Sequence, residues 1–303
     1  MKGLKELKTR IAERPEEVEG GAGGVVLAAG FFDGVHLGHQ AILRGADAAL
    51  TFRSHPLSVL APDRAPKLIM GLEERLAAIR ACGVEEVVAL DFTPELANME
   101  PADFLRMAAE RHPFTSVRCG ANWRFGRGGA GSADWLRAHN VPVDVAPFAL
   151  HGGERISSSR IRDCLGRGEI EEANAMMGHR LKASGRTFCG KGLGRALGFP
   201  TVNVSSDSPA LGLMPRGVYL VEAGGVRALA NYGVAPTAGE RAWGSPVLEV
   251  HFPGGDGPAA AAAQGSSVEV SFVRFMRPER RFASFGELRA QVAEDCAAAG
   301  FVL

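Results

Sequence analysis

Three groups of residues in this 303-residue chain have the types and spacing that phosphate chemistry needs. The first lies in GFFDGVHLGHQ, Gly30 to Gln40. An apolar run ends there, Asp33-Gly34 makes a turn, and His36-x-Gly38-His39 opens a helix. The free N–H groups of a helix start favour anions. Two imidazoles flanking a glycine let a phosphate approach the backbone. Both rings can then donate to oxygens on which charge develops. Gly30, Phe32, Asp33, Gly34 and Gly38 are the other candidate ligand contacts of this turn. The second group is ISSSRIR, Ile156 to Arg162. Ser157, Ser158 and Ser159 can cap the helix that follows, and Arg162 can hold a phosphate bidentately. The third is GKGLGRALGFPTVN, Gly190 to Asn203. Gly190, Gly192, Gly194 and Gly198 allow backbone N–H groups to close on a phosphate, and Lys191 and Arg195 add charge. It lacks the Gly-Lys-Ser/Thr of a P-loop. Thr201 and Asn203, two apart, share one face of a strand and offer hard oxygen donors for Mg2+. Each group also has an ordinary structural use: turn histidines, a helix cap, a glycine-rich hairpin.

These groups need a frame. Before residue 178 strands and helices alternate. VVLAAGFF (Val25 to Phe32), ALTF, EEVVALDF, TSVRCG and VDVAPFAL read as strands. HLGHQAILRGA, LEERLAAIRACG, PADFLRMAAERH and ADWLRAHN read as helices, with Gly83 closing one and Pro101 in the first turn of another. Alternation of this kind means a parallel sheet built of βαβ units. Two further helices are expected near 160–166 and 169–178. From Leu181 the pattern changes to short strands separated by turns: LKASGRTF, RGVYLVEAG, VRALANYG, PVLEVHF and SSVEVSFVRF. This reads as an antiparallel barrel. A final helix, SFGELRAQVAEDCAAAG, has Ser284 as N-cap and Glu287 three residues on, a capping-box pattern. The boundary falls at 178–182, giving domains 1–180 and 181–303. Residues 1–24 hold a short amphipathic stretch and a Gly-rich link, and GGDGPAAAAAQGSS reads as a hairpin loop.

Composition narrows the partners. Lys+Arg and Asp+Glu are 34 each, a net charge of zero, which disfavours nucleic acid. No apolar run reaches the ~20 residues of a spanning helix, and the charged N-terminus lacks the apolar core of a signal peptide. The five cysteines (82, 119, 164, 189, 296) are scattered, with no metal-ligand spacing. The expectation is a cytoplasmic protein acting on small molecules, with no membrane or nucleic-acid partner.

The motifs GFFDGVHLGHQ, TFRSHP, GANWRFG and ISSSRIR, in that order, resemble the bacterial bifunctional riboflavin kinase/FMN adenylyltransferase (FAD synthetase) family. GRALGFPTVN, ANYGVAPT, LEVHF and VSFVRFMRPERRFASFGELRAQVAEDC continue the resemblance to the C-terminus. It implies an α/β Rossmann-like nucleotidyltransferase domain followed by an antiparallel β-barrel riboflavin kinase domain with a C-terminal helix. It implies that riboflavin and ATP give FMN, and that FMN and a second ATP give FAD and pyrophosphate, both with Mg2+. By the same resemblance His36 and His39 contact ATP phosphates, Asn122 lies at the nucleotide/flavin site, and Ser158, Ser159 and Arg162 grip phosphate. Glu249 is the implied base on the ribityl 5′-hydroxyl. Thr201 and Asn203 sit at Mg2+–ATP, under the Gly190–Gly198 loop and Pro200. The chain departs from the family between Gln40 and Thr51, where ten residues stand for a full helix, a loop and a longer strand. A shortened first helix and second strand are therefore expected. That departure motivates two alternatives: a riboflavin kinase with an impaired N-terminal half, or a flavin-binding regulatory protein. A histidine-motif nucleotidyltransferase acting on a lipid or sugar head group fits the C-terminal half poorly.

Overall fold

The computed structural model describes residues 25–111, 113–188, 201–234, 246–253 and 265–301. The chain divides into two compact units after Ser158.

In the first unit β1 (Val26–Ala29) leads to α1 (Leu37–Leu43) and β2 (Ala48–Phe52). The short helix α2 (Leu57–Leu60), then α3 (Leu72–Arg80), β3 (Glu86–Leu90), the short α4 (Pro94–Ala97) and α5 (Pro101–Arg111) follow. Then come β4 (Ser116–Gly120), α6 (Ala133–Ala138), β5 (Val143–Ala146) and a small hairpin of β6 (Leu150–His151) and β7 (Glu154–Arg155). The five main strands form one sheet in the order β3-β2-β1-β4-β5. Every adjacent pair runs parallel. The order reverses between β1 and β4, so their C-terminal ends border the crevice where open α/β sheets bind ligands. Leu27, Ala29, Leu50 and Val117 of the sheet pack with Phe104, Leu105 and Leu136 of the helices.

The shortened crossover is present as expected. α1 has seven residues and β2 five. The helix ends at Leu43 and Gly45 turns the chain at φ 77°. β2 still pairs in register with β1, from Leu27↔Ala48 to Ala29↔Leu50. One expected strand is broken: VDVAPFAL gives β5 and then only Leu150, the first residue of β6, because Pro147 cannot donate to the ladder.

The second unit opens with α7 (Ser158–Arg167), whose first residue closes the first unit, and α8 (Ile170–Met177). The strands β8 (Leu181–Phe188), β9 (Thr201–Ser205), β10 (Gly217–Ala223), β11 (Val226–Val234), β12 (Pro246–His251) and β13 (Ser267–Pro278) close into a barrel. Its order is β10-β11-β12-β9-β8-β13. The last helix, α9, spans Phe285–Ala298. The sequence boundary at 180/181 had grouped α7 and α8 with the sheet; the structure groups them with the barrel. The reason is local. Asn174 of α8 donates to the Phe272 carbonyl and accepts from the Leu181 amide, tying the helix to β13 and β8. β10 shows no inside–outside alternation, because its outer residues Val218 and Leu220 are covered by Cys296 and Ala299 of the C-terminal helix region. Ser284 caps α9 by accepting from the Glu287 amide, while the Glu287 carboxylate reaches the Ala283 amide. The expected hairpin loop, residues 254–264 in its greater part, and residues 1–24 lie outside the described residues.

α9 is also pinned by charge. Arg277 of β13 donates from Nε and Nη2 to the two carboxylate oxygens of Asp295, at 2.8 and 2.7 Å, with Asp295 buried. Removing one partner of a buried pair strands the other charge. Asp295→Ala should therefore lower the stability of the second unit by about 3 kcal/mol, read as the shift of its denaturant midpoint. Arg277→Met/Asp295→Leu together should cost markedly less.

Candidate active sites

The first site is built where β1 ends. The backbone leaves the strand through a strained turn: Phe32 has φ 60°, Gly34 φ 81° and Val35 φ 34°. Left-handed backbone at non-glycine residues is costly and persists only where neighbours over-determine it. They do so here. Thr51, wholly buried on β2, donates to the Phe31 carbonyl. The Asp33 carboxylate accepts from the Ile69 and Met70 amides at 3.0–3.2 Å. Ser158 Oγ donates to the Asp33 carbonyl at 2.9 Å. The ISSSRIR and GFFDG segments are thus joined directly through Ser158.

Next along the chain, His36 is the N-cap of α1, its Nδ1 accepting from the His39 amide at 3.2 Å. That bond occupies the Nδ1 lone pair, so the neutral ring carries its proton on Nε2. The two imidazoles stack, with centroids 3.6 Å apart and planes at 16°. A Cβ on Gly38 would lie 3.1 Å from His36 Cε1, so the glycine also makes room for the His36 ring. Burial, and then the neighbouring His36, hold His39 well below the ordinary histidine pKa. His39 Nδ1 is buried with no hydrogen-bond partner among the described residues. Two stacked imidazoles, of which His39 resists protonation, can present hydrogen-bond donors without becoming a doubly charged clamp. Asn122 is exposed in the turn after β4, across the crevice from β1. Ser159 is exposed and Arg162 half-buried on α7 in the second unit.

Two expected ligand contacts are turned inward. Phe32 is 1% exposed, because the left-handed turn seats its ring over Gly30 and against His39. Asp33 is also buried, its carboxylate held by the two amides. Sequence reading missed Arg75. This guanidinium is fully buried on α3, 4.1 Å from the Phe31 ring centroid. Nη2 donates to the Phe52 and Arg53 carbonyls at the end of β2. Burial lowers its pKa, and Asp33 opposes the change. The available signal was position: Arg75 is three residues after Leu72 and four before Ile79, on the apolar stripe of an amphipathic helix.

The second site is a row across three barrel strands. Glu249 of β12 is registered with Asn203 of β9 on one side and Asn231 of β11 on the other. Directly opposed residues point to the same face. Thr201, exposed, lies two residues before Asn203 on that face and opposite His251. Burial, and then the Glu279 carboxylate, raise the Glu249 pKa. Glu279 approaches over Gly233, where a Cβ would collide with its Oε1. Thr201 hydroxyl and Asn203 amide oxygens beside a carboxylate are a hard donor set, and they fit Mg2+ held jointly with substrate phosphates. No cluster of three His, Cys, Asp or Glu able to hold a metal occurs among the described residues. Gly190, Lys191, Gly192, Gly194, Arg195, Gly198 and Pro200 lie outside the described residues.

A parallel sheet with paired histidines at its crevice, joined to a barrel with a carboxylate–amide row, defines a two-part phosphate-transfer protein. Comparison with known proteins makes the assignment specific. Residues 20–160 match the FAD synthetase family model and residues 177–303 the riboflavin kinase model. The bifunctional riboflavin kinase/FMN adenylyltransferase of Escherichia coli (strain K12) is 33% identical, over 94% of this chain and 93% of that protein. Its Bacillus subtilis (strain 168) namesake is 30% identical, over 89% and 90%. The chain belongs to the bifunctional riboflavin kinase/FMN adenylyltransferase family. A crystal structure titled macrolide-efflux protein, from Streptococcus pneumoniae, superposes with a TM-score of 0.79 at 25% identity, covering 95% of this chain and 97% of that one. That title describes the other protein; among the described residues here no helix is long and apolar enough to cross a membrane.

The histidine pair makes the first unit acid-sensitive. Folded His39 binds a proton less readily than an unfolded histidine near 6.5. The unfolded chain therefore takes up more protons below that pH, and stability present above it is lost as pH falls. The denaturant midpoint of the first unit should drop between about pH 7 and about pH 5.5, and His39→Gln should flatten that dependence.

Proposed function

We propose that the chain makes flavin nucleotides in two steps: riboflavin and ATP give FMN and ADP, then FMN and a second ATP give FAD and pyrophosphate. One observation carries the reading. The two units hold two unlike reactive sets, stacked imidazoles in one and a carboxylate of raised proton affinity beside two amides in the other. Attack at an α-phosphorus and attack at a γ-phosphorus need such separate sites.

In the barrel unit Glu249 takes the proton of the ribityl 5′-hydroxyl as that oxygen bonds to the γ-phosphorus and ADP leaves. A carboxyl with raised proton affinity suits a base that must accept an alcohol proton. Thr201 and Asn203 would hold Mg2+ together with substrate phosphates, and the ion would neutralise charge on the transferring group. Gly190, Lys191, Gly192, Gly194, Arg195, Gly198 and Pro200, assigned to ATP by the resemblance of GKGLGRALGFPTVN, lie outside the described residues.

In the sheet unit an FMN phosphate oxygen attacks the α-phosphorus in line and the bond to pyrophosphate breaks. No proton need be abstracted, so positioning and charge do the work. His36 Nε2–H and the His39 ring donate to the α- and β-phosphate oxygens. Gly30, Gly34 and Gly38 keep the backbone close, Asn122 faces the nucleotide and flavin, and Ser158 holds the leaving pyrophosphate, a role that the ISSSRIR resemblance also gives Ser159 and Arg162. The reaction runs in the cytoplasm, a compartment that suits the free thiols of Cys82, Cys119, Cys164 and Cys296. The partners are small molecules, with no nucleic acid and no membrane.

Chromatography of flavins after incubation with riboflavin, ATP and Mg2+ tests the reading: both FMN and FAD should accumulate. FMN alone would instead favour an impaired first unit, and neither product a regulatory protein. Glu249→Gln should lower FMN formation by a factor on the order of 10²–10⁴ while still converting supplied FMN to FAD. His39→Ala should do the reverse, with a loss of about 10²-fold or more. Equal loss of both activities in either variant would contradict separate sites.

A further inference from the structure

We infer that Phe32 is a positioning residue for adenylyl transfer: its ring, seated by a left-handed turn over Gly30, fixes the plane of the His39 imidazole against His36. The inference rests on the reading that His39 acts on ATP.

The geometry is specific. Phe32 and His39 meet edge to face, with centroids 5.4 Å apart and planes at 88°. His39 is also stacked on His36. The imidazole is therefore held by two ring contacts in different directions, one setting its plane and one blocking its slide. Gly30 is needed for this, because a Cβ there would lie 2.8 Å from Phe32 Cε1 and 2.9 Å from Cζ. Phe32 accepts an unfavourable φ of 60° to reach the position, and its carbonyl closes the turn by accepting from the Val35 amide at 3.1 Å. An ordinary core aromatic needs neither a left-handed backbone nor a glycine beneath it. Strain concentrated one step from a reacting group is the pattern of pre-organisation. A donor that must meet developing charge gains most when it does not have to reorient during the reaction.

The test uses the full chain, whose riboflavin kinase activity reports on its integrity. Phe32→Leu keeps an apolar side chain but removes the ring. Gly30→Ala keeps the ring but displaces it. Both should lower kcat for FMN adenylylation roughly ten-fold or more, with the KM values for FMN and ATP changed less than about two-fold. Both should shift the His39 ring resonances in the NMR spectrum. Riboflavin phosphorylation should stay at the parent rate. If either variant adenylylates FMN at the parent rate while His39→Ala is inactive, Phe32 is a packing residue only and the inference falls. A fall in kcat with unmoved His39 resonances overturns it equally. If His39→Ala itself retains the parent rate, the reading of the site falls, and the inference falls with it.

Discussion

The first site depends on one buried carboxylate. Asp33 has left water and is satisfied by the amides of Ile69 and Met70, which belong to the segment entering α3. A buried carboxylate without such donors would cost several kcal/mol, so the turn between β1 and α1 cannot relax without losing these bonds. Arg75, also buried near it, closes the ends of β1 and β2 from below. The strained residues Phe32 and Val35 are tolerated inside this frame, and the histidine pair inherits its orientation from it.

The short crossover changes how the histidines must work. A helix of seven residues adds little dipole, and its effect fades within one turn. On the proposed reading, phosphate recognition rests on the imidazoles and on the glycines that let backbone approach, more than on the helix. Even with so short a helix and strand, β2 pairs with β1 from Leu27↔Ala48 to Ala29↔Leu50 and keeps its place in the sheet order. The β1–β4 switch point is therefore intact, with the histidine turn following β1 and Asn122 following β4.

Much of this was legible in the chain. β1 was legible as a continuous apolar run, VVLAAGFF, because a central parallel strand is buried on both faces. β8 showed clean alternation, because one of its faces meets water. The Ser284–Glu287 cap was readable from two residues. The remainder was set by tertiary contacts that no local pattern records. Nothing in GFFDG distinguishes a phenylalanine facing ligand from one folded under its own strand, and Asp33 looks like any turn aspartate until Ile69 and Met70 arrive beside it. The attachment of α8 to β13 uses Asn174 bonding to Phe272, ninety-eight positions away. Glu249 carries no local mark at all; its meaning comes from the strands registered on either side.

Strand β13 pairs with β8 on one edge and β10 on the other. The barrel thus has no closing seam until Ser267–Pro278 has been synthesised. A ribosome delivers the sheet half complete at Ser158 while the barrel half still lacks its keystone. Vectorial synthesis gives the strained turn between β1 and α1 time to settle before the second half can finish assembly. The order of the two halves along the gene is in this sense an order of folding.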